Sequence, residues 1–430
     1  MVAKTFLAGD QDVKSVIGRA EHMLDGRWRW LRPLATRYVR AFAGRTRPRR
    51  RDVIEFLLED RGFLRAQASA KLAVRKWLTE PQRMQPVEAA QGWNLPSIES
   101  IGQLCQWLEL DPEDLAWFAD LKGLGRKVGV SSLHHYYYRT ISKRSGDVRL
   151  VEAPKKRLKK LQRQILSGIL GRIPPHPAAQ GFLKGRSIRT FAAPHVGKHV
   201  VLRMDLEDFF PSITAARIQA VFRTAGYPER VADVLGGICT NSVPSAVWNS
   251  GLGMSPSRLW DLRDLYRRPH LPQGAPTSPA LANLCAYRFD CRLLGLARSA
   301  GADYTRYADD LAFSGGEHFE RHVTRFSTHV AAVLLEEGFR ANHRKTRVMR
   351  RARRQSLAGL VTNQALNIQR PEFDRLKAIL TNCVRRGPES QNREERPDFR
   401  AHLVGRVGFV ASINPAKGER LRGILDQIQW

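Results

Sequence analysis

The chain is short of acidic residues, of cysteine and of long apolar runs, and each shortage narrows what it can be. No apolar run reaches the roughly 18–20 residues that a bilayer-crossing helix needs, so no membrane partner is expected. The segment Met1–Asp10 has a single Lys and no apolar stretch of signal-peptide length. Cysteines are five, at Cys105, Cys239, Cys285, Cys291 and Cys383, an odd number without Cys-x-x-Cys spacing. That argues against a disulfide framework and against a zinc site. It points to free buried thiols in a reducing, cytoplasmic setting. Asp plus Glu is 41 against 71 for Lys plus Arg, a formal net charge of +30. Such a charge disfavours a compact state unless a polyanion is a normal partner. The basic residues also gather in runs, Arg45–Arg51, Lys155–Lys160 and Arg350–Arg354, as on a nucleic-acid-binding surface.

At 430 residues, with hydrophobic content of 43%, the chain can bury sizeable cores. Its length suggests roughly two to four subdomains. Residues 1–130 read as a helical amino-terminal region that serves as a packing scaffold. One helix is expected from Asp52 to about Trp77, one from Ser100 with Gln103, and one from Asp111-Pro112. His134–Ile141, a polar turn and Val148–Glu152 read as a β-hairpin. Leu158, Leu161, Ile165 and Ile169 then recur at helical spacing. Residues 240–270, rich in Gly, Pro, Ser and Arg, read as an inserted loop, and Pro272–Asn283 opens a helix running to about Leu296. Residues 371–430 read as a helical appendage, its last two helices broken near Asn414-Pro415.

Two acidic signals stand about a hundred residues apart. One is Asp205, in Val201-Leu202-Arg203-Met204-Asp205-Leu206-Glu207-Asp208-Phe209-Phe210. The other is the doublet Asp309-Asp310, in Tyr304-Thr305-Arg306-Tyr307-Ala308-Asp309-Asp310-Leu311-Ala312-Phe313. Each lies in or at the end of a strand-like run. Carboxylates brought together at strand ends are what a two-metal phosphoryl-transfer site needs, because hard Mg2+ ions want oxygen ligands.

With Phe209-Phe210 after Asp205, the stretch Pro272-Gln273-Gly274-Ala275-Pro276-Thr277-Ser278-Pro279, and Tyr307-Ala308-Asp309-Asp310, the chain resembles a reverse transcriptase over about residues 135–430. The resemblance implies an α+β right-hand polymerase fold. Residues 131–370 would form fingers and palm, and residues 371–430 a helical thumb. It implies an RNA-directed DNA polymerase in which Asp205, Asp309, Asp310 and the backbone carbonyl of Leu206 hold two Mg2+ ions. Phe210 would lie under the sugar of the incoming deoxynucleotide and exclude a ribose 2′-hydroxyl, with Phe209 in the core and Asp208 on the surface. Gln273 and Gly274 would face nucleotide and template. Arg149 and Lys143 would grip the triphosphate, and Lys345 would stand near the leaving pyrophosphate.

Among the subfamilies the chain is most similar to the bacterial retron type. The stretches concerned are Leu133–Leu166, Gln180-Gly181-Phe182-Leu183-Lys184-Gly185-Arg186-Ser187-Ile188 and Ala192-Ala193-Pro194-His195. That implies a cognate structured non-coding RNA, priming from a guanosine 2′-hydroxyl, branched single-stranded DNA, a tie to phage defence and an effector protein encoded nearby. His195 is then a residue for RNA binding or a structural histidine. The chain departs from the retron pattern at Phe191, where the family has Asn, and at Leu357-Ala358-Gly359, where it has Val-Thr-Gly. The alternatives are a group II intron or defence-associated reverse transcriptase, and a non-catalytic RNA-binding relic.

Overall fold

The computed structural model describes residues 2–44, 48–69, 74, 83–125, 134–142, 148–249 and 256–430. They form two compact units, Met1–Pro174 with Phe210–Cys285, and Pro175–Phe209 with Ala286–Trp430. Both mix helices with antiparallel strands, an α+β architecture.

The first unit opens with short helices around an apolar core of Phe6, Leu31, Leu34, Tyr38, Val53 and Leu57. Where described, the helix expected over 52–77 is two helices, Arg50–Glu59 and Arg61–Ser69, and residues 70–73 and 75–77 lie outside the described residues. Asp60 causes the break. Its Oδ1 accepts the Phe63 amide at 2.7 Å and so caps the second helix, while Arg37 Nε donates to Oδ2 at 2.6 Å. Ser100 and Asp111 cap the next two helices by accepting from Gln103 N and Asp114 N, as their positions in the sequence suggest. The hairpin follows, with β1 (Tyr136–Ser142) antiparallel to β2 (Val148–Pro154). The region expected to be a loop over 240–270 is largely helical where described, at Ser245–Asn249 and Pro256–Arg267.

The second unit is built on a four-stranded antiparallel sheet in the order β4-β5-β3-β6. These strands are β3 (Val200–Asp205), β4 (Ala302–Tyr307), β5 (Asp310–Gly315) and β6 (Arg347–Arg350). Strand β3 is buried along nearly its whole length, which its apolar run demands. Helices Tyr287–Ser299 and Glu317–Glu336 pack on this sheet. The helix expected from Pro272 to Leu296 is thus two, Ser278–Cys285 and Tyr287–Ser299. The carboxyl-terminal helices Arg370–Arg386, Phe399–Ile413 and Pro415–Leu425 share a core of Leu376, Leu380, Leu403, Val407 and Leu421. Asn414 separates the last two and caps the final helix by accepting from Lys417 N. All five cysteines are free, and Cys291 is exposed where the sequence predicts a buried thiol. Among the described residues no helix is long and apolar enough to cross a membrane.

Candidate active site

The sheet of the second unit carries the three carboxylates to one end. Asp205 is the last residue of β3 and stands opposite Asp310, the first residue of β5. Between β4 and β5 only Ala308 and Asp309 remain, a two-residue turn. Leu206 N donates to Asp309 O at 2.9 Å and ties that turn to the strand carrying Asp205. The turn is strained: Ala308 has φ 56°, a left-handed conformation that costs a residue with a Cβ about 1–2 kcal/mol. Strain of this kind persists where surrounding contacts enforce it.

Those contacts come from a buried ion pair that the sequence did not disclose. Arg306 and Asp290 are both fully buried. Arg306 donates through Nε at 2.9 Å to Oδ1 and through Nη2 at 2.7 Å to Oδ2, the bidentate geometry a guanidinium favours. Tyr304 donates its hydroxyl to the same carboxylate at 2.7 Å. The remaining Arg306 nitrogen, Nη1, donates to the carbonyl of Ala308 at 3.2 Å. One buried cation therefore joins the helix carrying Asp290 to the strained turn carrying Asp309.

The electrostatics are those of a crowded anionic site. Burial pushes the Asp309 carboxyl above its ordinary pKa, and the charges of Asp205 and Asp310 push it further. Burial also raises Asp310, against the pull of Arg203. Two cations partly offset the cluster. Arg203 donates to Asp310 Oδ1 through Nε at 2.9 Å and Nη2 at 2.8 Å. Lys345 Nζ lies 2.9 Å from Asp205 Oδ2. The loop carrying Lys345 is itself fixed on Asp205, whose carbonyl accepts Asn342 N at 2.7 Å. Arg203 escaped notice in the sequence, although it stands two residues before Asp205 and so shares its face of the strand.

Among the described residues no three Asp, Glu, His or Cys side chains are drawn together as a ready-made cation cage. Arg203 and Lys345 each hold one of the carboxylates in an ion pair. The donor set nonetheless fits a hard divalent cation. It is all oxygen, it stands at one sheet end, and the burial and mutual repulsion that raise Asp309 are what such a cation would offset.

Gly181 backs this turn from the other side. A Cβ built on Gly181 would lie 2.8 Å from the Ala308 amide nitrogen. Gly181→Ala should therefore displace the turn and lower the rate of DNA synthesis by about 10²-fold, the scale of a roughly 1 Å misplacement. Steady-state primer extension checks this, and a rate within a factor of about two of wild type would contradict it.

His195 lies inside the second unit. It is fully buried. Its Nδ1 lies 2.7 Å from Ser314 Oγ and its Nε2 lies 2.7 Å from Thr305 Oγ1. Thr305 donates its own hydroxyl proton to Phe191 O at 2.9 Å, so it accepts from Nε2–H, and Ser314 donates to Nδ1. Burial pushes the ring down to about 4, hence neutral. Of the two readings the sequence leaves open for His195, RNA binding or a structural role, this burial and these partners favour the structural one.

Phe209 is buried with its ring 5.7 Å from Phe339, a core position. Phe210 is half-buried and Asp208 partly exposed. In the first unit, Arg149 is exposed on β2 opposite Ile141. Gln273 is half-buried beside an exposed Gly274 with φ 133°. Lys143 lies outside the described residues. In the carboxyl-terminal helices, Arg375, His402, Arg406 and Phe409 line an open groove of about 570 Å³.

A strand-end carboxylate cluster on an antiparallel sheet, set in a chain of this charge, is the equipment of a nucleic-acid polymerase. Residues 141–376 match the profile of the family described as reverse transcriptase (RNA-dependent DNA polymerase). The chain is 43% identical over 312 residues to the retron Mx65 reverse transcriptase of Myxococcus xanthus, covering 69% of this chain and 68% of that protein. It is 35% identical over 359 residues to the retron Mx162 reverse transcriptase of the same organism, 80% of this chain and 70% of the relative. To the retron Ec86 reverse transcriptase of Escherichia coli it is 30% identical over 297 residues, 68% of this chain and 81% of the relative. The chain belongs to the reverse transcriptases, RNA-directed DNA polymerases, and within them to the retron reverse transcriptases. Enzymes of this class generally use divalent metal ions.

Proposed function

We propose that the chain reverse transcribes a cognate structured non-coding RNA, priming from a guanosine 2′-hydroxyl in it to yield branched single-stranded DNA. The retron relatives support that reading. The observation that carries the chemistry is the register of β3 and β5, which sets Asp205 against Asp310 with Asp309 in the adjoining turn. Asp205, Asp309 and Asp310, with the carbonyl of Leu206, would hold two Mg2+ ions. Bound there, the ions would lower the pKa of the primer hydroxyl and take up charge on the leaving pyrophosphate. Arg203 and Lys345 hold the carboxylates in place, and Lys345, half-exposed, offers its charge to the pyrophosphate. Arg149 and Lys143 would bind the triphosphate, Arg by its fork of donors.

In this reading residues 131–370 supply fingers and palm, residues 371–430 the thumb, and residues 1–130 a helical region that precedes them. The net charge of +30 suits an RNA template and its DNA product. A role in phage defence, with an effector protein encoded nearby, completes the proposal.

Phe210 would select deoxynucleotides by the bulk of its ring. Primer extension on an RNA template tests both activity and gate. Wild type should extend with deoxynucleotides in the presence of Mg2+. Phe210→Ala should raise ribonucleotide use relative to deoxynucleotide use by about 10²-fold. Unchanged discrimination would remove Phe210 from this role, and absence of extension on any RNA template would overturn the polymerase reading.

A further inference from the structure

We propose that His270 and Glu152 form a buried proton-sharing pair that positions the Gln273-Gly274 segment and makes deoxynucleotide affinity fall as pH rises. The proposal rests on the reading that Gln273 and Gly274 meet the nucleotide.

The geometry fixes the proton. The His270 and Glu152 side chains are 1% and 0% exposed. His270 Nδ1 lies 2.7 Å from the Arg268 carbonyl, which can only accept, so Nδ1 carries a hydrogen. Nε2 lies 3.0 Å from Glu152 Oε1. A neutral ring protonated on Nδ1 would turn the bare lone pair of Nε2 toward a carboxylate oxygen, and burial of both side chains would leave that repulsion uncompensated. A further proton therefore lies between Nε2 and Oε1. Glu152 is already an acceptor elsewhere, taking Asn241 Nδ2 at 2.6 Å on Oε2 and Gln273 N at 3.4 Å on Oε1. The geometry is thus that of an imidazolium donating to a carboxylate.

The surroundings agree. Desolvation by burial pulls the His270 pKa down, but the charge and hydrogen bond of Glu152, with the Arg268 carbonyl, outweigh it, and the ring titrates above its ordinary value. Among the described residues, tyrosines stand close to the pair, and Tyr136 and Tyr138 of β1 both feel the charge of Glu152. The Tyr266 ring, from the helix Pro256–Arg267, packs edge-on at 4.9 Å. The Tyr138 hydroxyl, from β1, accepts from Asn241 at 3.2 Å, and burial pushes its pKa up, so it stays neutral.

The pair is wired to the segment through Glu152. Glu152 N donates to Gln273 O at 2.8 Å, and its side chain accepts Gln273 N. Next to this, Gly274 sits so close to β2 that a Cβ would lie 2.8 Å from Glu152 O. His270 cannot move away, because its backbone exchanges two hydrogen bonds of 3.0 Å with Asn241 and Leu271 N donates to Ile213 O at 2.9 Å. Loss of the shared proton sets two lone pairs against each other at that fixed point. A turn of Glu152 Oε1 away from Nε2 relieves that repulsion and takes away the acceptor of Gln273 N–H.

The test combines kinetics with a direct reading of the ring. In primer extension by the full chain between pH 6 and 9, KM for deoxynucleotide should rise on the alkaline side, separately from any change in kcat. His270→Gln should raise KM about tenfold at pH 7, the scale of one lost hydrogen bond, remove the alkaline rise, and leave kcat within about threefold. Nitrogen-15 spectra of histidine-labelled wild type do not depend on a variant being well folded for activity. The signal absent from His270→Gln should show both ring nitrogens protonated at pH 7 and lose one through the range where KM rises. A ring with one bare nitrogen at pH 7, or an alkaline rise retained in His270→Gln, would overturn the proposal. Gln273→Ala separates the two layers. If it leaves KM unchanged, the nucleotide reading of the segment fails; if it raises KM while His270→Gln matches wild type, only the proton-sharing pair fails.

Discussion

Asp309→Asn should abolish DNA synthesis while leaving the protein at least as stable as wild type. The substitution keeps the shape of the side chain and removes its charge from a cluster proposed to hold divalent cations. Metal-held charge stabilisation is worth several kcal/mol in such reactions, so the rate should fall by about 10³-fold or more. Stability should move the other way. Burial, then Asp205 and Asp310, raise the Asp309 carboxyl above its unfolded value. The folded state therefore binds this proton more tightly than the unfolded chain. Stability falls as pH rises from the ordinary carboxylate value through the raised folded one, and the penalty is complete above that. Asparagine carries no such penalty. In divalent-free buffer at pH 7 the melting temperature of the variant should equal or exceed that of wild type, and the gap should close toward acid. Near-normal extension, or a clear loss of thermal stability at pH 7, would contradict this account of the site.

Arg306→Ala should have the opposite signature, a large loss of stability. It strands the Asp290 carboxylate in a fully buried position, and breaking a buried pair from one side costs about 3–5 kcal/mol. It also frees the Ala308 carbonyl, so the strained turn loses one of the contacts that hold it. The more informative variant replaces the whole buried group, with Arg306→Met, Asp290→Leu and Tyr304→Phe together. Apolar replacement of buried ions is often near neutral, so urea denaturation should show much of the stability restored. DNA synthesis should stay depressed, because a thioether side chain has no hydrogen to donate to the Ala308 carbonyl. A single Arg306→Ala within about 1 kcal/mol of wild type would rule out this role for the pair.

The candidate catalytic carboxylates were legible in the sequence because strand ends and a two-residue turn are local features, written in short apolar runs around Asp205 and Asp309-Asp310. The carboxyl-terminal helices were legible for a similar reason, their apolar spacing and Asn414-Pro415 being local too. What escaped is the set of partners. Arg203 looked like one more basic residue in a chain full of them. Asp290 and Arg306 belong to a helix and a strand, and nothing near either predicts a buried pair. Glu152 and His270 are 118 positions apart and meet only through the fold. The same limit explains the helix expected through Asp60, where a distant Arg37 and a cap override local periodicity. The partners of His195 were hidden for the same reason, since Thr305 and Ser314 stand on β4 and β5, more than a hundred positions away.

The most direct test of the account is the nucleic acid that the chain makes. The gene would be expressed with its flanking DNA, and the nucleic acid that co-purifies sequenced before and after a 2′–5′ debranching enzyme. The account predicts single-stranded DNA joined to a structured RNA, separated only by debranching, and absent when Asp309→Asn replaces wild type. Unbranched DNA, or RNA alone from an otherwise folded wild-type protein, would contradict it.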